Sequence, residues 1–121
     1  MNLLELTNLK RMVSQMFKVL INKIKKFNKD RDWEQFHTGE NLAKSISIEA
    51  NELLELFQWS NQPKSIEGLK EEIADIFIYS LMFSEKYGFD IENIILEKLE
   101  VNEKKYPVKK SQGKSNKYND L

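Results

Sequence analysis

A carboxylate in the middle of an apolar helical stripe most constrains what this chain can fold into. At about 100° per residue, Leu42, Ile46, Leu53 and Leu56 fall on one face of a helix through Ser45 to Trp59, SISIEANELLELFQW. Glu49 falls on that same face, with Glu52 at its edge, while Glu55 projects toward solvent. An unpaired carboxylate on a core face costs several kcal/mol or takes up a proton. Glu49 and Glu52, one turn apart, therefore need a cation, which a basic side chain or a metal ion can supply.

A second acidic pair follows in GLKEEIADIFIYSLMF, where Glu72, Asp75, Tyr79 and Met82 line up at helical spacing within a segment apolar nearly all round. Such a helix is buried on several sides and carries two more acids inward. Four carboxylates from two packed helices make an all-oxygen site, which suits Mg²⁺, or Mn²⁺ as the alternative, rather than zinc or copper. The competing reading pairs each acid with a core Lys or Arg, but Ile73 to Phe83 contains no basic residue.

A length of 121 residues supports a single domain over 1–121 with a modest core. The balance of 19 Lys+Arg against 19 Asp+Glu gives no general attraction to nucleic acid or membrane. The absence of Cys excludes disulfide stapling, thiolate catalysis and Cys-ligated zinc. No run reaches the apolar length of a membrane span or shows a signal-peptide pattern, so a cytoplasmic protein is expected.

Taken in order, Leu6, Leu9, Val13, Met16, Phe17, Leu20, Ile24 and Phe27 predict one long amphipathic helix from Asn2 to Phe27. The pattern is compatible with a break near Thr7 and Asn8. Asn28 to Thr38, including RDWEQFH, is charged, aromatic and irregular in period, and reads as a functional loop. Thr38 caps the central helix, which is expected to end before Asn61, Gln62 and Pro63. Ser65 caps a third helix that stops at Gly88. Asp90 caps a fourth, with Ile91, Ile94, Ile95 and Leu99 facing inward and Pro107 at its end. The expected fold is an all-α four-helix bundle, followed from Val108 by a basic tail, residues 108–121, that is mobile when free.

On the fourth helix Lys98, Asn102 and Lys105 prolong the line of Ile91 and Ile95, a direction that points into a site. The lysines can neutralise phosphate oxygens and Asn102 can hold a metal or orient a water; the alternative is a solvated last turn whose lysines favour the helix dipole. Trp33, Phe36, His37 and Trp59 flank the central helix, with Trp59 on the side of Glu52. Taken singly, each ring suits core packing; beside a metal site, rings stack on a base for about 1–3 kcal/mol each. Di-iron carboxylate bundles use Glu-x-x-His pairs, and neither acidic pair here contains His. With no Gly-rich phosphate loop or nucleophile elbow, metal-activated water remains as the chemistry.

The pair Glu49-x-x-Glu52 followed by Glu72-x-x-Asp75 resembles the ExxE…ExxD signature of the MazG-like all-α nucleotide pyrophosphohydrolases. RDWEQFH, Asn41-Leu42, EANELLELFQW, EEIADIFIY, KLEVNEKKYP and Lys117-Tyr118 resemble the dCTP pyrophosphatase branch in the same order. The match runs from Met16 to Tyr118 and leaves residues 1–15 as an extension of the first helix. The resemblance implies Mg²⁺-dependent hydrolysis of a deoxynucleoside triphosphate to its monophosphate and pyrophosphate, a nucleotide-pool house-cleaning reaction. It implies metal ligation by Glu49, Glu52, Glu72 and Asp75 and a base pocket using Trp33, His37, Trp59 and Tyr79. It places Lys98, Asn102, Lys105, Lys117 and Tyr118 near the phosphates. It also implies a homotetramer or dimer with sites built at subunit contacts, the bundle being completed by oligomerisation.

The dCTP branch carries a Pro where this chain has Thr38-Gly39-Glu40, which bears on loop geometry and so on base selectivity. Stacking selects no base; selection needs polar groups at the base edge, and Gln35, His37 and Asn41 are available. The expected substrate, dCTP or a 5-substituted dCTP, rests on the similarity of RDWEQFH and ELFQW to that branch. The alternatives are dUTP or a broad set of triphosphates, and a non-catalytic interaction module in which the acids form a structural cation site.

Overall fold

In the computed structural model, which describes residues 1–121, Asn2 opens helix α1, Leu3–Asp30, with a reciprocal cap. Its side chain accepts from the Glu5 N–H at 2.8 Å while the Glu5 carboxylate accepts from the Asn2 N–H at 2.9 Å. No break occurs at Thr7, whose hydroxyl donates to the Leu3 carbonyl one turn back at 2.8 Å. The helix also outlasts Phe27. Lys26 holds Asp30 at 2.6 Å across one turn, and Arg31 caps the end with its guanidinium on the Phe27 carbonyl at 2.9 Å. The expected loop is thereby shortened, and contains one 3₁₀ turn, Glu34–Phe36.

Helix α2, Gly39–Glu55, starts where Thr38 caps it, the hydroxyl accepting from the Asn41 N–H at 3.1 Å. It ends earlier than expected. From Leu56 the backbone tightens to bonds spanning three residues, Leu56 to Leu53, Phe57 to Leu54 and Gln58 to Glu55. The Lys64 N–H then returns to the Leu56 carbonyl at 2.8 Å. Trp59 therefore lies off the helix, 89 % exposed, and the helical register that set it on the side of Glu52 does not reach it.

Helix α3, Ile66–Lys86, is capped by the Ser65 hydroxyl on the Gly68 N–H at 3.0 Å and followed by Gly88 at φ +68°, the left-handed conformation that glycine adopts freely. Helix α2 packs along α3, and α1 packs on α3 as well. Leu42 of α2 and Leu81 of α3 are the buried apolar residues, with Ile46, Leu53 and Leu56 half-buried on the predicted stripe. Lys25 of α1 pairs with Glu85 of α3 at 2.6 Å, an exposed contact worth at most about 1 kcal/mol.

Met1–Phe89 and Asp90–Leu121 form two compact units. In the second, α4, Ile91–Lys105, is capped by Asp90. A short helix α5, Val108–Ser111, and a 3₁₀ turn, Tyr118–Asp120, follow within the tail. Ile91 is half-buried, but Ile94, Ile95 and Leu99, expected to face inward, are 39 %, 47 % and 53 % exposed. Periodicity identifies an apolar face; it does not supply the surface that covers it. The molecule is all-helical, and no helix is long and apolar enough to cross a membrane.

Candidate active site

Because α2 lies along α3, an inward acid of one helix meets inward acids of the other. Glu49, Glu72 and Asp75 each bring one carboxylate oxygen within 4.8 Å of the others. Oε2 of Glu49 and Oε2 of Glu72 are sealed from water and receive no hydrogen bond. The four ion pairs of the chain, Lys25–Glu85, Lys26–Asp30, Lys44–Glu40 and Lys70–Glu67, all lie elsewhere. The reading in which core basic residues neutralise the acids is thereby removed.

The electrostatics follow from that crowding. Burial, then the close approach of the Glu52 and Glu72 carboxyl groups, then the charges of Glu52 and Asp75 push the Glu49 carboxyl up to about 7. Burial also raises Glu72, reinforced by Glu52 and Asp75 and opposed by its contact with Glu49. Glu52 is exposed, outside the group of three but near enough to act on two of its members. Two buried oxygens without donors can share a retained proton or bind a cation. Hard oxygen donors on neighbouring turns, with no basic partner, fit a divalent ion of the Mg²⁺ or Mn²⁺ type.

Beside the acids lies a cavity of about 420 Å³ walled by Trp33, His37, Asp75 and Tyr79, with Phe27, Asn28, Ile78 and Met82 completing its sides and Lys23 and Ile24 at α1. Its volume lies within the roughly 300–1,000 Å³ usual for small-molecule sites. Asp75 belongs to both the cavity and the acidic cluster, so the two are continuous. Trp33 is aimed by local backbone. Asp32 takes φ +53°, and the Trp33 N–H returns to the Asn28 carbonyl at 3.0 Å. The indole then meets the Phe27 ring in a T-shaped contact, centroids 5.7 Å apart at 73°, with the Arg31 guanidinium 3.7 Å from the centre of the Phe27 ring.

Three of the four expected base-pocket residues, Trp33, His37 and Tyr79, thus share one cavity, and Trp59 does not line it. Two expected readers of the base edge are engaged elsewhere. Gln35 donates to the Asp32 carbonyl and carboxylate, both at 2.9 Å. Asn41 donates to the Phe36 carbonyl at 2.8 Å. Both tie the loop that carries Trp33 and His37.

The profile of the MazG-like family matches residues 44–121, a span that includes all four acids. The chain belongs to the MazG-like family. Among its relatives, dCTP pyrophosphatase 1 of Rattus norvegicus is 38 % identical over 104 residues, covering 78 % of this chain and 61 % of that one. The Homo sapiens protein of the same name is 34 % identical over 104 residues with the same coverage. The chain therefore spans about 61 % of the length of these curated relatives. A crystal structure of a pyrophosphatase from Archaeoglobus fulgidus DSM 4304 superposes with a TM-score of 0.70 at 37 % identity, covering 74 % of this chain and 91 % of that one.

Within the second unit of this MazG-like chain, Lys105 places its ammonium 4.9 Å from the centre of the Tyr118 ring. Tyr118 in turn meets Tyr106 edge-on at 6.1 Å. Lys98 and Asn102 lie on α4 with Lys105, and Lys117 precedes the last 3₁₀ turn. In the first unit, Asn28, Lys23 and Ile78 line the cavity without having been anticipated. Asn28 was legible in principle. It follows Phe17, Ile21 and Ile24 at steps of four, three and four, a polar residue prolonging an apolar stripe.

Proposed function

We propose that the chain is a nucleoside triphosphate pyrophosphohydrolase acting on dCTP or a 5-substituted dCTP, with Mg²⁺ as cofactor and Mn²⁺ as a substitute. The observation that carries this reading is the trio Glu49, Glu72 and Asp75, crowded without a counter-cation and opening through Asp75 into an aromatic cavity. Relatives named dCTP pyrophosphatase 1 support the substrate class, and the Archaeoglobus structure supports pyrophosphatase chemistry.

Glu49, Glu72 and Asp75, with Glu52 beside them, would hold the cation. When bound, it supplies charge neutralisation at the phosphates and activation of water. The remaining work belongs to the chain. Trp33 and Tyr79 wall the base, His37 offers it a ring nitrogen, and Trp59 carries over from the sequence resemblance. Lys23, in the same cavity as Asp75, adds positive charge for a phosphate. Lys98, Asn102, Lys105, Lys117 and Tyr118 are assigned to the phosphates by resemblance. Water attacks phosphorus, the bond between the α and β phosphates breaks, and the products are the monophosphate, pyrophosphate and a proton.

The same reading places the protein in the cytoplasm as a homo-oligomer, a tetramer or a dimer. Apolar side chains left open on the helices, such as Phe77 of α3 at 58 % and Met16 of α1 at 60 % exposure, support self-association. The test of function is incubation of purified protein with Mg²⁺ and a panel of dATP, dGTP, dTTP, dCTP, dUTP and 5-methyl-dCTP, with chromatography of the products. Release of pyrophosphate and dCMP is expected. Failure with every triphosphate, in Mg²⁺ and in Mn²⁺, would return the protein to a non-catalytic module.

A further inference from the structure

Asn28 sits on the wall common to two cavities, the one of about 420 Å³ beside the acids and a smaller one of about 180 Å³, both of which it lines together with Ile24, His37 and Met82. It is only 7 % exposed, the one buried polar residue of α1. Its backbone carbonyl is occupied by the N–H groups of Arg31 and Trp33, at 3.2 and 3.0 Å. Its side chain makes a single contact of hydrogen-bonding type, Nδ2 to Sδ of Met82 at 3.6 Å. A thioether accepts a hydrogen bond and cannot donate one. The sulfur therefore selects one of the two amide orientations, with Nδ2 toward Met82 and Oδ1 turned away. Oδ1 takes no bond from the protein and is not among the side-chain oxygens sealed from water. A carboxamide oxygen held in one orientation on a cavity wall, unbonded within the protein and open to solvent, is placed to accept a hydrogen bond from a ligand.

We propose that Asn28 is a specificity-determining residue, its Oδ1 accepting a hydrogen bond from the exocyclic amino group of a 4-aminopyrimidine base held in the Trp33–Tyr79 cavity. This rests on the reading of that cavity as the base pocket of a triphosphate hydrolase. A 4-keto pyrimidine would set its carbonyl against Oδ1, acceptor against acceptor, and leave both without a donor. Gln35 and Asn41, whose amide N–H groups tie the loop, do not line that cavity. Met82 is then a positioning residue. It does not touch the base edge but decides which end of the amide the base meets.

The experiment is the ratio of kcat/KM for dCTP over dUTP in the full chain, with tryptophan quenching by dCMP and dUMP as a binding readout apart from turnover. Wild type is expected to favour the cytosine nucleotides. Asn28→Ala should lower the ratio about tenfold or more, the loss of one hydrogen bond at a buried acceptor, mainly by weakening dCTP. Met82→Leu keeps a similar volume but removes the sulfur. It should lower the ratio by letting the amide turn over, with dUTP turnover rising and the Mg²⁺ requirement unchanged. Asn28→Asp, which keeps an acceptor, should retain the preference. An unchanged ratio in Asn28→Ala and Met82→Leu, in a protein that hydrolyses dCTP, would overturn the role of Asn28 alone. A wild-type protein that prefers dUTP overturns it too. Wild-type protein that releases pyrophosphate from no triphosphate overturns the proposed function and this role with it.

Discussion

Replacing Glu49 with Gln should stabilise the metal-free protein while removing its response to Mg²⁺, two effects of opposite sign from one atom change. Glu49 shares a sphere of 4.8 Å with carboxylate oxygens of Glu72 and Asp75, and like charges at that distance repel by about 0.9 kcal/mol in a water-like dielectric and about 3.5 kcal/mol at an effective dielectric of 20. Because water reaches part of the site, the lower limit governs. Neutralising Glu49 relieves two such contacts, about 1–2 kcal/mol in all, which for a domain of this size raises Tm by about 4–8 °C. Gln keeps the shape of the side chain, so no cavity opens to offset the gain. A cation held as proposed would lose a charged ligand. At a hundredfold excess over its dissociation constant Mg²⁺ stabilises by about 2.7 kcal/mol, and this increment should vanish in the variant. The assay is thermal unfolding followed by circular dichroism at pH 8, where the Glu49 carboxyl, raised to about 7, is mostly ionised, once in EDTA and once in saturating Mg²⁺. A Glu49→Gln protein that melts below wild type in EDTA, or that keeps the wild-type Mg²⁺ increment, refutes the picture of a repulsive trio relieved by a cation.

The Glu49 carboxyl is raised from its ordinary value to about 7 by burial first and by its acidic neighbours second, so the folded state holds its proton more tightly than the unfolded one. The stability it contributes is full below about pH 4.5 and lost as pH rises to about 7, a fall of about 1–2 kcal/mol after allowance for water at the site. In EDTA melts from pH 4.5 to 8 the wild-type curve should drop toward neutrality relative to Glu49→Gln, and the Mg²⁺ increment should grow with pH as the proton leaves; parallel curves would contradict this. Gly39→Ala would set a Cβ 1.9 Å from Oη of Tyr87, displacing the ring at a cost of about 1–2 kcal/mol; in a Tyr87→Ala background the same substitution should be nearly neutral in urea unfolding, and an equal penalty in both backgrounds would assign it to something other than the ring. Trp33→Ala should lower kcat/KM for the preferred nucleotide about tenfold, the worth of one stacked ring, with an unchanged Mg²⁺ increment in Tm, and loss of that increment would place Trp33 at the cation instead.

Helix starts were legible because a capping side chain is a local event: Thr38, Ser65 and Asp90 each accept from an N–H three residues on. The ends of α1 and α2 were not, although Gly88 and Pro107 marked those of α3 and α4. The apolar letters of Leu56 to Trp59 continue the pattern of α2, but the chain there tightens and turns back, with the Lys64 N–H on the Leu56 carbonyl, a contact no window of sequence displays. The extension of α1 to Asp30 was hidden in the opposite way, by charged residues that look like loop until Lys26 and Asp30 are seen to pair along the helix. On α4 the apolar face was identified from spacing, yet Leu99 is 53 % exposed, because spacing says which residues avoid water and not what they meet.

The site divides along the same line. Glu49, Glu72 and Asp75 declare themselves because a carboxylate on an apolar stripe is costly wherever the helix goes, so tertiary structure can only choose its partner. Asn28 carries the same signal in weaker form: a neutral amide on a stripe costs less to bury than a charge and suits a helix end as well as an interior. What distinguishes it is the sulfur of Met82, fifty-four residues away in sequence and 3.6 Å away in space, which turns an unremarkable buried amide into one with a defined acceptor. Gln35 and Asn41 show the converse. In sequence they have the chemistry of base readers, and in the fold they hold the loop in place. A polar residue near a site is thus available for recognition only when the fold sets it on the wall of the cavity, and of these three amides Asn28 alone lines it.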